Sequence, residues 1–598
     1  VLWRFEHGEI DGISPKLAVV MIGTNNAGHR QDPAEQTAAG VKAIVEQLRE
    51  RLPQTKVLLL AIFPRGADAN DELRKLNDAT NEILATYADN KNVFYLDISS
   101  TFLKDDGSLP KSIMPDLLHP NPEGYALWAE AMEPMIQKLM GEIRMPSRFG
   151  DGKVLQRGED APVWGWADAG EKVTVEFAGQ EVSTTADDNG KWLTTLEPLT
   201  TNAQPATMTI TTDDEAVAIE NVLVGEVWIC SGQSNMAMTV GRCDSPEDIA
   251  SADYPLIRTI LVPRIPSATP VDDFEGSWTV CDPTTVGQFT AVGYFFGRTI
   301  HRELGGVPVG LINSSWGGTR VEPWTPPCGF DAVPELKEIA EGTYTAKSHQ
   351  EPTVLYNGMI SPLVPLAIRG ALWYQGESNG NEGVTYYQKK QALIGGWRQL
   401  FNQGDFPFYF VQLANFRAPT EDPAGGDGWA KLREAQVDTL KVPNTGMAVI
   451  IDIGEEKDIH PKNKQDVGKR LALWALAKDY GEEKIVYSGP LYKSMKVEGD
   501  KIRLSFDHTG SGLMVGLKEG RKRTKEVEGG ELKWFSIADA DQNWHWAKAV
   551  IDGDTVVVSA EEVKAPAAVR YGFTNNPEGC NLYNKEGLPA SPFRTDSW

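Results

Sequence analysis

Cysteine is scarce in this 598-residue chain. The five present, Cys230, Cys243, Cys281, Cys328 and Cys580, fall at no metal-ligand spacing, so the usual sequence sign of a zinc site is missing. Cys230 lies in an apolar run and reads as a small buried hydrophobe. Positive charge is also short: 58 Lys and Arg stand against 83 Asp and Glu, a net charge of -25. That excess argues against nucleic acid or an anionic membrane surface as partner. An anionic substrate would need a local cation. No apolar run reaches the length of a membrane span. There is no phosphate-binding loop and no short-period repeat. The first residue is Val1 rather than Met, so nothing about targeting can be read from the start of the chain.

The length suggests about three to five domains, and an apolar fraction of 41% supplies enough material for several cores. Residues 1–142 alternate continuous apolar runs, "LAVVMIG", "KVLLLAIF" and "NVFYLDI", with helical spacing at 33–52, 70–88 and 122–141. Runs of that kind are strands buried on both faces of a parallel sheet. Residues 145–222 change to short alternating strands with Gly, Asp and Asn turns, the pattern of a small β-sandwich. From 223 to 484 the α/β alternation returns, with strands expected at 224–230, 256–262, 307–313, 367–374, 406–413 and 446–452. Helices are expected at 290–304, 384–402, 429–441 and 462–480. Residues 485–598 are again β-rich. The fold class is therefore α/β: a three-layer α/β/α domain with flanking β regions, preceded by a second, truncated α/β domain.

Chemistry-bearing residues gather at the carboxyl ends of the expected strands in 223–484. "VWICSGQSNMAM" (227–238) turns abruptly from apolar to small and polar, and Ser234 stands just past the strand. Ser234 fits a nucleophile there, or equally a helix N-cap. Gly317 and Gly318 follow "VPVGLINSSW" and can bring backbone N–H groups against a ligand, or simply make a turn. Gln375, Gly376 and Glu377 follow the strand 367–374. Asp458 and His460 follow the strand 446–452, with Pro461 suiting a helix entry. In a doubly wound sheet such ends converge on one crevice. A nucleophile, amide donors and a general base are what acyl transfer requires, and nothing calls for a metal or cofactor.

In this order "GQSNM", "SWGGT", "QGESN" and "DIHP" resemble the four blocks of the SGNH (GDSL-like) hydrolases, and more specifically the sialate O-acetylesterase family. The resemblance covers about 149–598. It implies an SGNH-type fold and hydrolysis of O-acetyl esters on sugars, sialic acids first. It also implies Ser234 as nucleophile, His460 as base, and an oxyanion hole from the amides of Ser234 and Gly317 or Gly318 with Gln375. The third triad member stays open. The position three before the histidine, where the family usually has Asp, is Lys457. Asp458 comes first, Glu377 second, and a main-chain carbonyl third. Arg320 is a candidate contact for a sialate carboxylate, or a structural arginine. Asn357, in "LYNGMISPL", is a candidate substrate contact. Trp324 and Trp373 are sugar platforms or core.

"VVMIGTNNAGHRQDP" and "LPKSIMPDLLHPNPEGY" resemble a different SGNH branch, the platelet-activating-factor acetylhydrolase-like esterases, with Gly23 and Asn25 in the third block and Asp116 and His119 in the last. The matching serine and glycine blocks are absent. Ser14, Ser99, Ser100, Ser108 and Ser112 are the serines of 1–142, and none stands where a nucleophile is expected. Residues 1–142 are thus expected to be the inactive remainder of a truncated domain. The resemblance to the sialate O-acetylesterase family implies an extracellular or periplasmic setting. Other readings remain: an acetylxylan or other glycan acetylesterase, and a non-catalytic carbohydrate-binding protein carried by the β regions.

Overall fold

The computed structural model describes residues 1–140, 143–213 and 215–598. The expected end of the first unit, residue 142, lies outside them. Residues 1–140 hold a three-stranded parallel sheet, Leu17–Val20, Lys56–Leu60 and Val93–Leu96, paired in chain order. Helices Ala34–Arg51, Glu72–Ala85 and Pro122–Met140 accompany it. Its central strand is covered from its second residue on: Val57, Leu58, Leu59 and Leu60 are all buried. The strand Leu17–Val20 is an edge of this sheet, and Val19 is exposed on it.

The organising element of the rest is one strand of 17 residues, Ala216–Gly232. Its first half pairs antiparallel with Asn202–Thr211 inside the β-sandwich region. Its second half lies parallel between Val309–Ser315 and Gly370–Tyr374. The boundary expected between 222 and 223 therefore falls inside a single strand. The burial along it explains the change of sequence character: solvent-facing positions intersperse the first half, and from Val222 on every residue is buried. A sheet with one wet face alternates, whereas a parallel sheet covered on both faces does not.

The central sheet runs Thr279–Cys281, Tyr254–Leu261, Val309–Ser315, Ala216–Gly232, Gly370–Tyr374, Phe408–Val411, Thr445–Ala448. Pairing along it is parallel except at Thr279–Cys281. Tyr254–Leu261, Thr279–Cys281 and Val309–Ser315, which follow Ala216–Gly232 in the chain, all lie on one side of it, and the later strands step outward on the other, so this strand stands at the topological switch point and its carboxyl end opens a crevice. Trp228 and Cys230 pack on one face with Phe296, Val467 and Leu471 from helices Ala291–Glu303 and Lys464–Lys478. Ile229 points to the other face, whose core includes Trp373, Trp397 and Leu432 beneath Val384–Phe401 and Gly428–Asp438. Period-two alternation of the strand thus feeds two helical layers. Residues 485–598 form three small antiparallel sheets, and one continuous apolar core joins them, the β-sandwich region and the second helical face. Trp324 and Trp373 are fully buried in that core. They are packing residues, not sugar platforms.

Candidate active site

Ser234 is delivered by backbone geometry. Gly232 closes the strand at φ +131°, and a Cβ there would lie 2.2 Å from the Tyr374 carbonyl oxygen, so the strand can end this way only with glycine. Gln233 follows in extended conformation, and Ser234 opens the short helix Ser234–Ala237. Its side chain makes no N-cap hydrogen bond; instead the Nε2 of His460 lies 2.9 Å from its Oγ.

His460 is held from its other side by Asp458. The Asp458 Oδ1 is 3.2 Å from the imidazole Nδ1 and accepts the His460 main-chain N–H at 2.9 Å. A two-residue spacing would separate the side chains in an extended segment, but this loop turns just before helix Lys464–Lys478. The His460 N–H, with the Lys462 ammonium nearby, holds the Asp458 carboxyl below the usual carboxylate range. Of the three alternatives left open by the sequence, geometry has Asp458 on the imidazole. Glu377 goes elsewhere: its Oε1 accepts from Asn235 Nδ2 at 2.6 Å, and burial pushes its carboxyl up.

Gly317 comes directly against the serine. A Cβ on it would stand 3.3 Å from Ser234 Cβ. The Trp316 N–H is tied to the Gly232 carbonyl at 3.0 Å, and Gly318 takes the left-handed φ of +77° that the turn requires. The amides of Ser234 and Gly317 have no hydrogen-bond partner among the described residues, as donors kept for an oxyanion would.

Three candidates read from the sequence have their side chains engaged by other residues. Gln375 is fully buried, its Nε2 donates to Thr319 O and Asn379 Oδ1, and its Oε1 accepts from the Tyr386 hydroxyl. With both N–H groups spent, it is no oxyanion donor. Arg320 is ion-paired with Glu322 and Glu382, and Lys389 joins the same carboxylates. Its charge is already compensated. Asn357 is buried and donates to the Ser267 carbonyl at 3.1 Å, bracing the 265–271 segment rather than meeting a substrate.

Five residues near the site were missed. Asn235 and Lys464 are buried beside it, with Lys464 Nζ 2.7 Å from Asn235 Oδ1. Burial pulls the Lys464 ammonium down to about 8. Trp316 stacks on His349, ring centroids 4.7 Å apart and planes 10° from parallel. Asn235 stands inside the "GQSNM" block and was legible there; Lys464 and His349 carry no local signal. The fifth, Arg264, is exposed and donates from Nε to the Ser315 carbonyl at 3.1 Å.

In the amino-terminal unit Asp116 Oδ2 lies 2.7 Å from His119 Nδ1 on the exposed surface. The imidazole hydrogen bond lowers the Asp116 carboxyl to about 2. Gly23 is buried at φ +131° and Asn25 is exposed. No serine of residues 1–140 hydrogen-bonds to His119.

With this geometry in hand, the comparisons with known proteins decide the family. The sialate O-acetylesterase of Rattus norvegicus is 31% identical over 526 residues, covering 75% of this chain and 94% of the relative. The chain belongs to the sialate O-acetylesterase family. Within it, residues 224–477 match the family described as carbohydrate esterase, sialic acid-specific acetylesterase. The human sialate O-acetylesterase is 30% identical over 500 residues. A crystal structure of a carbohydrate acetylesterase from Xanthomonas citri is 40% identical and covers 76% of this chain and 100% of its own, with a TM-score of 0.69. This sialate O-acetylesterase family member is thus a hydrolytic esterase. Its residues 1–127 match the GDSL-like lipase/acylhydrolase family. The human platelet-activating factor acetylhydrolase IB subunit alpha1 is 39% identical over 143 residues, covering 24% of this chain and 60% of that relative.

Proposed function

We propose that this chain removes acetyl groups from O-acetylated sugars, sialic acids foremost, through an acyl-serine intermediate. The observation that carries the proposal is the chain of contacts from Asp458 through His460 to Ser234 at the switch point of the sheet. His460 Nε2 takes the Ser234 Oγ proton as Oγ attacks the acetyl carbonyl. The carbonyl oxygen becomes an oxyanion between the Ser234 and Gly317 amides, each contributing roughly 3 kcal/mol to the transition state. His460 then gives its proton to the departing sugar oxygen, leaving acetyl-Ser234. Water, deprotonated by the same imidazole, releases acetate and restores the serine. Asp458 fixes the tautomer that presents Nε2 to the serine and steadies the imidazolium.

The sialate reading draws on the relatives' names and needs a cation for the substrate carboxylate. Arg320 is spent on Glu322 and Glu382. Arg264 has no carboxylate partner among the described residues and is anchored beside the last residue of strand Val309–Ser315, so it is the better candidate for a charge-assisted contact. The Xanthomonas relative is described only as acting on carbohydrate, which keeps other acetylated glycans in view.

Release of p-nitrophenol from its acetate, lost in Ser234→Ala, tests the chemistry and sets it against a non-catalytic sugar-binding role. Acetate release from O-acetylated sialic acid compared with acetylated xylan tests the sugar. Faster turnover of the xylan would replace sialate as the substrate class.

A further inference from the structure

A buried chain of hydrogen bonds runs beneath the His460 loop, and the acyl-transfer steps use none of it. Asn235, next to Ser234, donates from Nδ2 to Glu377 Oε1 at 2.6 Å and to the Ile459 carbonyl at 3.0 Å. Lys464 Nζ donates to Asn235 Oδ1 and to the Pro461 carbonyl, both at 2.7 Å. Ile459 and Pro461 are the two residues flanking His460. The carbonyls on either side of the imidazole-bearing residue are therefore gripped by one amide–ammonium unit. That unit is rooted in the residue beside the serine, so the nucleophile's helix and the base's loop share a fixing point.

Each member is an expensive choice. Asn235 and Lys464 are essentially without solvent exposure. Glu377 is half-buried as a residue, yet its Oε2 is out of reach of solvent and has no hydrogen-bond partner among the described residues. Buried charges of opposite sign often add no stability over apolar side chains of the same volume. A role in holding geometry accounts for them better than a role in holding the fold.

We propose that Asn235, Lys464 and Glu377 are positioning residues that keep the His460 main chain in register with Ser234. The proposal rests on the reading of Ser234 and His460 as the working pair. Glu377, a candidate for the triad from sequence, would then act on the imidazole through Asn235 and not by touching it.

The test measures kcat and KM on p-nitrophenyl acetate for the full chain, with each variant's folded state followed by near-ultraviolet circular dichroism. Lys464→Met keeps the length of the side chain and removes its donors. It is expected to lower kcat roughly 10- to 100-fold, the effect of an ångström-scale misplacement, while KM stays within about twofold. Glu377→Leu is expected to lower kcat in the same way. Glu377→Gln, which still offers Asn235 an oxygen, is expected to restore most of it. Wild-type kcat in folded Lys464→Met and Glu377→Leu overturns the proposal, as does a loss confined to KM. If Lys464→Met does not fold, the Glu377 pair carries the test. A Glu377→Leu protein that fails to fold assigns the network to stability and also overturns the proposal. Activity surviving in Ser234→Ala would instead remove the reading on which the proposal rests.

Discussion

His460 Nε2 lies 2.9 Å from Ser234 Oγ, although 226 positions separate the two residues in the chain. The contact joins the carboxyl end of the central strand to a loop that follows the edge strand Thr445–Ala448. Asp458 completes it from the opposite side of the imidazole. Asp458→Asn is expected to lower kcat on an aryl acetate by roughly 100-fold, short of the ~10⁴-fold seen when a buried triad carboxylate is replaced. The smaller figure follows from the 40% exposure of the Asp458 side chain, which lets water share its role. An unchanged kcat would assign orientation of the imidazole to the main chain alone.

Gly317→Ala puts a methyl 3.3 Å from Ser234 Cβ, closer than side chains ordinarily approach. The fold should survive, because the neighbours met are atoms of the serine itself and not of the core. The expected result is a lower kcat at nearly unchanged thermal stability. A variant as active as the parent would show that the amide at 317 takes no part.

Arg320→Ala and Arg264→Ala should separate scaffold from specificity. Arg320 is compensated by Glu322 and Glu382, so its loss should affect an aryl acetate and an acetylated sialic acid equally. Loss of Arg264 should raise KM several-fold, about 1 kcal/mol of charge-assisted binding, for the carboxylated substrate alone. Equal effects of Arg264→Ala on both substrates would sink the carboxylate assignment.

His119→Ala should leave turnover of an acetyl ester as it was, and His460→Ala should abolish it. The reason is the surroundings of His119: Asp116 at 2.7 Å and no serine partner. Activity lost in a folded His119→Ala protein would make the amino-terminal unit a working site.

Asp479 sets a pH dependence of stability. It is half-buried, accepts the Tyr409 hydroxyl at 2.6 Å, and burial lifts its carboxyl to about 6. Its folded pKa exceeds its unfolded one, so the folded state holds the proton more tightly. The resulting stabilisation is full below about pH 4 and is lost as pH rises through about 6. Asp479→Asn keeps an acceptor for Tyr409 without the charge. Relative to wild type it should gain on the order of 2 kcal/mol between about pH 4.5 and 7.5. Denaturant melts giving a constant difference at the two pH values would refute this.

The layers, and the places where chemistry could sit, were legible in the pattern along the chain. Continuous apolar runs separated by helical spacing specify a parallel sheet covered on both faces, because such strands can be buried no other way. Ser234, Gly317, Asp458 and His460 were legible because each stands just past a strand, where the backbone turns and small polar residues interrupt the apolar pattern. Where side chains point once the loops close depends on the folded chain. Gln375 and Glu377 occupy the same kind of position in sequence as Ser234, yet the fold turns Gln375 into a buried network with Asn379 and Tyr386, and Glu377 onto Asn235. Arg320 is ion-paired with Glu382, 62 positions away. The link from Lys464 to Asn235 spans 229 positions. The sharing of one strand by sandwich and α/β domain was hidden for a related reason: hydrogen-bond partners of a strand lie on other strands, so a change of partner midway leaves the strand's own backbone pattern unbroken. Local pattern reports burial and turns, whereas the pairing of polar atoms depends on contacts between distant segments.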